Sequence, residues 1–332
     1  MKTLKSLLKK GAWQGLVSIC LAALLSSSAV AEPLNYRLKW LFNASVVGDI
    51  YADVHGYFKE AGLDITVKPG GPERDAIKEL ELGQASFGVA SADQVIRALS
   101  KGAPVVVIAQ IFQVNPLHWM YRQQDMSIER LDDLKKKIIG VTFGGNDEII
   151  LRTLMAMGNI SEKETTLFSV RYDYNPFYQR KADLWPVYLN SQAVFLKKKM
   201  AENGEAVSFF NPADHGVQFV SNSVVTSRKM VNEQPEVVRA FASSLCKAWE
   251  AALAPENMDK AIETLQQFDK DTALDVMTEQ LEVTRRLIKP TPEMAIGTID
   301  LPAWLQTAQI MADQKQTPHL ISVSDAILPM AK

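Results

Sequence analysis

Residues 36–67 read YRLKWLFNASVVGDIYADVHGYFKEAGLDITV and contain, in this order, a strand, a polar turn, a helix and a second strand. Apolar residues alternate over Tyr36–Trp40 and again over Leu63–Val67, as they do in half-buried strands. The polar turn at 43–48 leads into a helical stretch that ends at Gly62, a residue that suits a helix C-terminus. A strand–helix–strand unit of this kind predicts an α/β domain.

The alternation of strands and helices continues to residue 226 in two runs, of which the second begins after Met120. Further predicted strands lie at 86–90, 105–109, 138–142, 166–170, 182–185 and 206–210, and predicted helices at 73–82, 93–100, 131–135, 147–157 and 190–203. The chain is extended over 217–226 and mostly helical from Pro235 onward. This order predicts an α/β fold with parallel-type sheets and flanking helices.

The two runs predict two lobes. We expect residues 33–121 and 223–332 to form lobe 1 and residues 122–222 to form lobe 2 as an insert, so that two chain crossings act as hinges. Ligands of open α/β sheets bind beyond the carboxyl ends of the strands. We therefore expect a ligand cleft between the lobes, lined by their strand-to-helix turns.

Residues 1–31 have the order of a secretory signal peptide. A basic start is followed by an apolar stretch at 16–25 and by small residues that end at Ala31, where we expect cleavage. The apolar stretch is shorter than the ~20 residues that span a bilayer. The sequence thus predicts a periplasmic protein.

The composition of the chain restricts the classes of molecule that it is expected to bind. Four of the 36 Lys and Arg residues lie in 1–31, but none of the 38 Asp and Glu residues does, so the rest of the chain is mildly acidic. Such a charge suits neither nucleic acid nor an anionic membrane surface. Cys246 is the only cysteine in the sequence after residue 31, which excludes an intramolecular disulfide. We expect a monomer that rests on its hydrophobic core.

Five side chains near predicted strand ends or helix starts are candidates for ligand contact. Trp40 can stack on a planar ligand, although filling a core gap is the commoner role of tryptophan. Asn43 can donate and accept at a ring edge, or cap a turn. Ser91 and Gln94 open a helix whose free N–H groups favour ligand acceptors, and Ser91 equally suits an N-cap. Gln113 belongs to an amide-rich run that either reads heterocycle edges or forms a solvated loop.

Gly144 and Gly145 form the equivalent turn of lobe 2. Glycines let a ligand approach the backbone closely, although these two lack the Gly-Lys-Ser/Thr of a phosphate-binding loop. The four histidines are scattered without the spacing of paired metal ligands, and Cys246 lies in an amphipathic helical pattern. We therefore predict no catalytic residue, no metal site and no cofactor.

Several segments resemble one group of binding proteins. Trp40-Leu41-Phe42-Asn43 followed by Gly48 resembles the W-x-x-N start of periplasmic binding proteins for thiamine-pyrimidine precursors. Residues 182–188, ADLWPVY, resemble the "vDawpvY" strand of those proteins, and residues 214–217 resemble their "dyGv". Segments typical of the wider nitrate, sulfonate, taurine and pyrimidine group lie at 56–64, 82–89, 101–105 and 134–140. The resemblance covers residues 33–330.

This resemblance implies a type II periplasmic binding fold, a small-molecule ligand in the cleft and an ABC permease of the inner membrane as partner. It places Trp40, Asn43, Trp185 and Tyr188 against the ligand, so we expect Trp40 and Trp185 on opposite walls of a dry cleft. Pyrimidine binders often carry Asn-Glu-Pro after the tyrosine. This chain has Asn190-Ser191-Gln192 there and lacks the carboxylate, which leaves the ligand open.

Several roles are compatible with the sequence. The leading one is the extracytoplasmic solute-binding component of an ABC importer for a small planar heterocycle, such as a thiamine-pyrimidine precursor. The alternatives are a binder of sulfonate, nitrate or taurine-type anions and the sensory input of a signalling partner. The superfamily also contains a eukaryotic enzyme that builds the thiamine pyrimidine. Val46 stands where that enzyme carries its histidine, so the sequence favours a protein that is not an enzyme.

Overall fold

The computed structural model describes residues 33–71, 73–171 and 173–330. The predicted signal peptide at 1–31 lies outside these described residues. Their strands form two five-stranded sheets. None of the helices in the described ranges is long and apolar enough to cross a membrane.

The strands divide between the sheets according to their position along the chain. Sheet A contains β1 (Leu34–Arg37), β2 (Ile65–Lys68), β3 (Phe87–Ser91), β4 (Val105–Gln110) and β10 (Asn222–Ser227). Sheet B contains β5 (Leu117–Arg122), β6 (Ile138–Val141), β7 (Thr166–Ser169), β8 (Leu184–Tyr188) and β9 (Val207–Phe210). The strand orders are β2-β1-β3-β10-β4 and β7-β6-β8-β5-β9, so the two sheets repeat one arrangement.

The described residues also form α-helices and short 3-10 helices that connect and cover the strands. The α-helices are α1 (Val47–Val54), α2 (Tyr57–Glu60), α3 (Ala76–Glu81), α4 (Ala92–Ser100), α5 (Asn146–Met157), α6 (Asn175–Tyr178), α7 (Gln192–Glu202), α8 (Arg228–Glu233), α9 (Pro235–Leu253), α10 (Met258–Gln266), α11 (Leu274–Ile288) and α12 (Leu301–Asp313). The 3-10 helices are Ala44–Val46, Leu131–Leu134, Pro212–His215, Pro255–Asn257 and Ser324–Ala326.

The α/β class is confirmed, but both sheets are mixed rather than parallel. β10 runs antiparallel to β3 and β4, and β5 runs antiparallel to β8 and β9. Each of these strands enters its sheet from a chain crossing instead of from a covering helix. A strand that arrives without a helical crossover has no geometric need to run parallel to its neighbours.

The chain changes sheet between β4 and β5 and again between β9 and β10. The first change, at residues 111–116, lies slightly before the predicted boundary at 121, because Leu117–Arg122 is a strand of sheet B. The division into two lobes stays a proposal, in which lobe 1 is built on sheet A and lobe 2 on sheet B. The described residues from 33 onward form one compact unit.

Three apolar cores cover the faces of the sheets. One packs α1, α9, α10 and α11 on sheet A, with Val106 and Ile108 of β4 pointing into it. The second contains Val105 and Val107 together with residues of α4, α5, α12 and one face of sheet B. The third lies between the other face of sheet B and α6 and α7. The carboxyl ends of the strands emerge between these layers, which positions the candidate site.

Candidate ligand-binding site

The carboxyl end of β1 is fixed by a glycine pair that follows β2. The Gly70 N–H donates to the Trp40 carbonyl oxygen at 2.8 Å, and the Gly71 N–H donates to that of Lys39 at 3.3 Å. A Cβ on Gly70 would lie 2.2 Å from the Leu38 carbonyl oxygen. Only glycine allows this approach, so the pair holds the backbone from which the side chains of Lys39 and Trp40 project.

Trp40 lies at the surface next to this clamp, with 36% of its side chain exposed. Three residues later, the Asn43 side-chain oxygen accepts hydrogen bonds from the Ser45 N–H at 2.8 Å and the Ser45 hydroxyl at 2.5 Å. Asn43 is thus the N-cap of the 3-10 helix at Ala44–Val46. Because capping uses only its oxygen, its amide N–H groups remain available for a ring edge.

Ser91 and Gln94 cap α4 reciprocally. The Gln94 Oε1 accepts from the Ser91 N–H at 3.1 Å, and the Ser91 hydroxyl donates to Asp93 Oδ1 at 2.5 Å. Asp93 is buried and also pairs with Arg97, one turn along the helix. The structure therefore supports the N-cap interpretation of Ser91 and adds a buried carboxylate at the edge of sheet A.

The turn after β6 is closed by acidic side chains of α5. Asp147 Oδ2 accepts from the Thr142 N–H at 2.6 Å, and Glu148 Oε2 accepts from the Gly144 N–H at 2.7 Å. Gly144 has a φ of 81°, and a Cβ on Gly145 would lie 2.5 Å from Asp147 Oδ1. The glycines thus shape the turn around these carboxylates, and burial raises the pKa of Asp147 to about 6.

Tyr188 ends β8 beside this turn. Its hydroxyl lies 3.3 Å from Asn146 Nδ2 and 3.4 Å from Asn146 Oδ1, and its N–H donates to Gln192 Oε1 at 3.1 Å. Burial raises the pKa of Tyr188, and the nearby carboxylates of Asp147 and Asp93 raise it further. Asp93 is in the first turn of α4 and Asp147 in that of α5, and Tyr188 packs against the second core, to which both helices contribute.

Lys39 precedes Trp40 just after the end of β1 in sheet A. Its side chain is partly buried, and burial lowers the pKa of its ammonium group. Asp93 opposes this shift, whereas Arg97 adds to it. The site thus combines an aromatic surface, a lysine, a tyrosine hydroxyl and amide groups, which can stack a planar ring and bind its edges.

Trp185 is not on the wall of this site. Its side chain is 1% exposed, and its ring lies in the third core, 6.0 Å from the Phe177 ring and 6.1 Å from the Phe168 ring. Successive strand residues point to opposite faces. Trp185 therefore points away from the face on which Tyr188 packs, and the expectation of two opposed tryptophans does not fit the structure.

Gln113 lies at the first crossing, where its amide holds the backbone. Its Nε2 donates to the Gln110 carbonyl oxygen at 3.0 Å and to that of Thr298 at 2.9 Å. A cavity of about 160 Å³ lies beside it, between the two crossings. Gln113 thus contacts backbone at the first crossing, and its contact with a ligand stays a prediction.

Two arginines follow the turns of the candidate site along the chain. Arg152 pairs with Glu148 and Glu162, and Arg74 is exposed after the glycine clamp. Residues 190–192, the segment in which relatives often carry a carboxylate, also form hydrogen bonds with a distant helix. Asn190 donates to the Thr284 hydroxyl at 3.1 Å, and the Ser191 carbonyl oxygen accepts from Gln280.

The described residues form neither a cluster suited to a metal ion nor an activated thiol. No group of three or more His, Cys, Asp or Glu side chains in them is arranged to hold a metal ion. Cys246 is buried in the first core, and burial raises the pKa of its thiol to about 12, so its reactive thiolate is disfavoured.

Lys39, Asp93, Asn146 and Asp147 lie at the candidate site but were not among the residues predicted from the sequence. Each lies within two residues of a position that was selected, and each is charged or polar at a strand end or in a first helical turn. The positional rule that selected Trp40 and Ser91 would have found them, had it been applied to every polar side chain in those turns.

Comparisons with known proteins identify the family and the fold. The family model described as "NMT1/THI5 like" matches residues 43–258. A formylaminopyrimidine-binding protein of Halalkalibacterium halodurans is 26% identical over 288 residues, which cover 84% of this chain and 80% of that protein. A putative thiamine biosynthesis protein of Haemophilus influenzae is 23% identical over 61% of this chain and 63% of its own length. The periplasmic aliphatic sulphonate-binding protein SsuA of Escherichia coli shares the fold, with a TM-score of 0.70 and 15% identity over 90% of this chain and 92% of its own.

Proposed function

The chain belongs to the NMT1/THI5-like family, and we propose that it is the solute-binding component of an ABC importer that captures a planar heterocycle of the aminopyrimidine class. The ligand would lie between the lobes, with its ring on Trp40 and its edges near Asn43, Asn146 and Tyr188. The sequence relative named for formylaminopyrimidine binding supports this ligand class.

The observation that carries the proposal is the meeting of the two sheet edges at Tyr188. The carboxylates that raise its pKa come from the first turn of α4 on one side and of α5 on the other. Strand ends of two α/β sheets that face each other form the kind of cleft in which small molecules bind.

Capture would work by closure of the lobes about the crossings at 111–116 and 211–221. A ligand that touches both edges binds the closed form more tightly and shifts the population toward it. Closed, loaded protein would then dock on an inner-membrane permease. We propose that the protein acts as a monomer in the periplasm, delivered there by residues 1–31.

A binder of sulfonate-type anions is the second candidate. Lys39 supports it, because an ammonium group at the site suits an anionic oxygen. An enzyme of thiamine-pyrimidine synthesis is a weaker candidate, since Val46 stands at the histidine position and Cys246 is buried. We propose binding without turnover.

Isothermal titration of the purified protein with formylaminopyrimidine tests the proposal. We expect saturable 1:1 binding that Tyr188→Phe weakens several-fold, because the hydroxyl would lose its hydrogen bond to the ring edge. Tyr178→Phe, at a residue that packs against the third core on the other face of sheet B, is the matched control and should bind like the wild type. Conversion of the ligand during the titration would indicate an enzyme, and an absence of binding would reject the aminopyrimidine class.

A further inference from the structure

Helix α11 packs on sheet A next to the turn that carries Asn43. Its apolar residues belong to the first core, and it contacts the 3-10 helix Ala44–Val46, which Asn43 caps. Its last turn is bound to the first crossing, because the Leu287 carbonyl oxygen accepts from the N–H groups of Gln113 and Val114, both at 3.0 Å. The helix is therefore fixed relative to the turn of Asn43 and to the crossing.

A third contact of α11 reaches the turn after β8, in sheet B. Thr284 Oγ1 accepts from Asn190 Nδ2 at 3.1 Å, and Gln280 Nε2 donates to the Ser191 carbonyl oxygen at 3.2 Å. Gln280 and Thr284 are one helical turn apart, so they lie on the same face of α11. Thr284 is 0% exposed and Asn190 2%. Without this acceptor, the Asn190 amide would lose a hydrogen bond that water could not replace.

The hydroxyl group of Thr284 is used in both directions. Its proton is donated to the Gln280 carbonyl oxygen at 2.8 Å, one turn back along the helix. A hydroxyl that donates its proton within a helix still has lone pairs with which to accept, and the Asn190 amide binds there. Valine has nearly the same shape without the hydroxyl, so Thr284→Val removes both bonds and leaves the packing in place.

The turn that α11 holds is coupled to Tyr188 through the backbone. The Ser191 N–H donates to the Tyr188 carbonyl oxygen at 3.0 Å, and the Tyr188 N–H donates to Gln192 Oε1 at 3.1 Å. The Leu189 N–H donates to the Pro116 carbonyl oxygen at 2.9 Å, at the end of the first crossing. A shift of this turn against α11 would therefore move the end of β8, from which Tyr188 projects.

Two ion pairs extend the same contact along the surface. Lys197 pairs with Glu279 and Lys198 with Asp275, which joins α7 to α11. These four side chains are between 48% and 64% exposed. Ion pairs in such positions contribute little, because water screens them. The buried hydrogen bonds are therefore the part of the contact that fixes the turn.

We infer that Thr284 is a positioning residue, which holds the turn of Tyr188 against α11 and so sets the distance between Tyr188 and the turn of Asn43. The inference rests on the proposed function, in which these two side chains bind the edges of one ring. Thr284 is fully buried and acts through Asn190, without touching the ligand. Helix α11 thus couples the two halves of the candidate site.

Hydrogen–deuterium exchange of the ligand-free protein tests the anchoring. Thr284→Val should speed exchange over residues 186–192 by about 5- to 20-fold, the usual effect of one buried hydrogen bond. Thr284→Ser keeps the hydroxyl and should exchange like the wild type. Thr278→Val is the matched control, because the Thr278 hydroxyl donates to the Leu274 carbonyl oxygen in the same way but binds no other described residue. Equal exchange in Thr284→Val and the wild type would overturn the inference.

Isothermal titration with formylaminopyrimidine tests the effect on the site. Thr284→Val should lose several-fold in affinity, whereas Thr284→Ser and Thr278→Val should bind like the wild type. In a Tyr188→Phe background, Thr284→Val should cost less than about twofold, because little of the tyrosine contact is left to position. A loss of equal size in both backgrounds is the result of a merely structural role and would overturn the inference, as would an unchanged affinity of Thr284→Val.

A second variant covers the case in which Thr284→Val does not fold. Gln280→Met removes the hydrogen bond to Ser191 at similar side-chain size, and the same results are expected from it. A wild type that binds no formylaminopyrimidine rejects the proposed ligand class. The exchange of the ligand-free variants then decides the role of Thr284 by itself. Faster exchange confined to residues 186–192 supports that role, and unchanged exchange overturns it.

Discussion

Trp40 and Trp185 occupy similar places in the sequence but opposite surroundings in the structure. Each belongs to a segment that resembles pyrimidine-binding proteins, but Trp40 follows β1, whereas Trp185 is the second residue of β8. Trp40 is 36% exposed beside Lys39, whereas Trp185 is 1% exposed and packs between aromatic rings. The same family resemblance thus accompanies a place at the candidate site for Trp40 and a place in the core for Trp185.

The difference follows from the alternation of strand side chains. Trp185 and Tyr188 are three residues apart on β8, so they point to opposite faces of sheet B. Tyr188 packs against the second core and Trp185 belongs to the third. The sequence alone could have excluded one of the two, because an odd spacing on a strand does not allow both to line one wall.

The largest predicted difference in the free energy of unfolding is between variants that remove one or the other of the two indoles. Trp185→Ala should lower the free energy of unfolding by about 3 to 5 kcal/mol, since it empties a packed core position. Trp40→Ala should cost about 1 kcal/mol or less, because much of its ring is already in water. Urea unfolding of both variants measures these values, and equal losses would contradict the assignment of the two indoles to core and site.

The buried carboxylate of Asp49 shows a second property of the core, a pH-dependent contribution to stability. Asp49 lies in the first core and accepts from the Tyr36 hydroxyl at 2.5 Å, and burial raises its pKa to about 7. The neutral form is thus favoured in the folded state, so stability is fully present below the unfolded-state pKa near 3.8 and falls as the pH rises toward 7.

Asp49→Asn should remove this pH dependence. Relative to the wild type, the variant should gain about 3 to 4 kcal/mol in free energy of unfolding between pH 4 and pH 8, at 1.36 kcal/mol per pKa unit. Urea titrations of both proteins at several pH values give the difference. A difference that stays constant with pH would show that Asp49 is not held in its neutral form.

Of the three comparisons, that between two glycines predicts the smallest difference in stability. A Cβ on Gly48 would lie 2.0 Å from the Trp249 ring, so Gly48→Ala should cost about 3 kcal/mol by forcing α1 and α9 apart. A Cβ on Gly144 would meet no atom within 4 Å, and Gly144→Ala should cost about 1 kcal/mol for its positive φ. Thermal unfolding compares the two, and a milder effect at Gly48 would contradict the packing of its helix.

The sequence predicted the order of strands and helices well, because most strands and helices have a clear periodicity and end at glycines. It missed β5, whose residues Leu117–Arg122 are all buried and so show no alternation. It also missed the direction of β10, which pairs with β3 across more than 130 residues of chain. Pairing over such a distance depends on the whole fold and leaves no local pattern.

The candidate site stays a prediction, and the structure shows which of its residues hold other parts of the protein. Local position selected Trp40, Asn43 and Ser91, and the family resemblance selected Tyr188. Local position does not show that the amide of Gln113 is held by the Thr298 carbonyl oxygen from a distant segment. Partners that come from far along the chain decide whether a polar side chain is available to a ligand.

Tryptophan fluorescence during titration with formylaminopyrimidine tests the central claim most directly, that Trp40 and not Trp185 lies at the ligand site. The measurement compares the wild type with Trp40→Phe and Trp185→Phe, which both keep an aromatic ring. The account predicts that the ligand-induced change in emission is largely lost in Trp40→Phe and retained in Trp185→Phe. Loss of the change in Trp185→Phe, with its retention in Trp40→Phe, would contradict it.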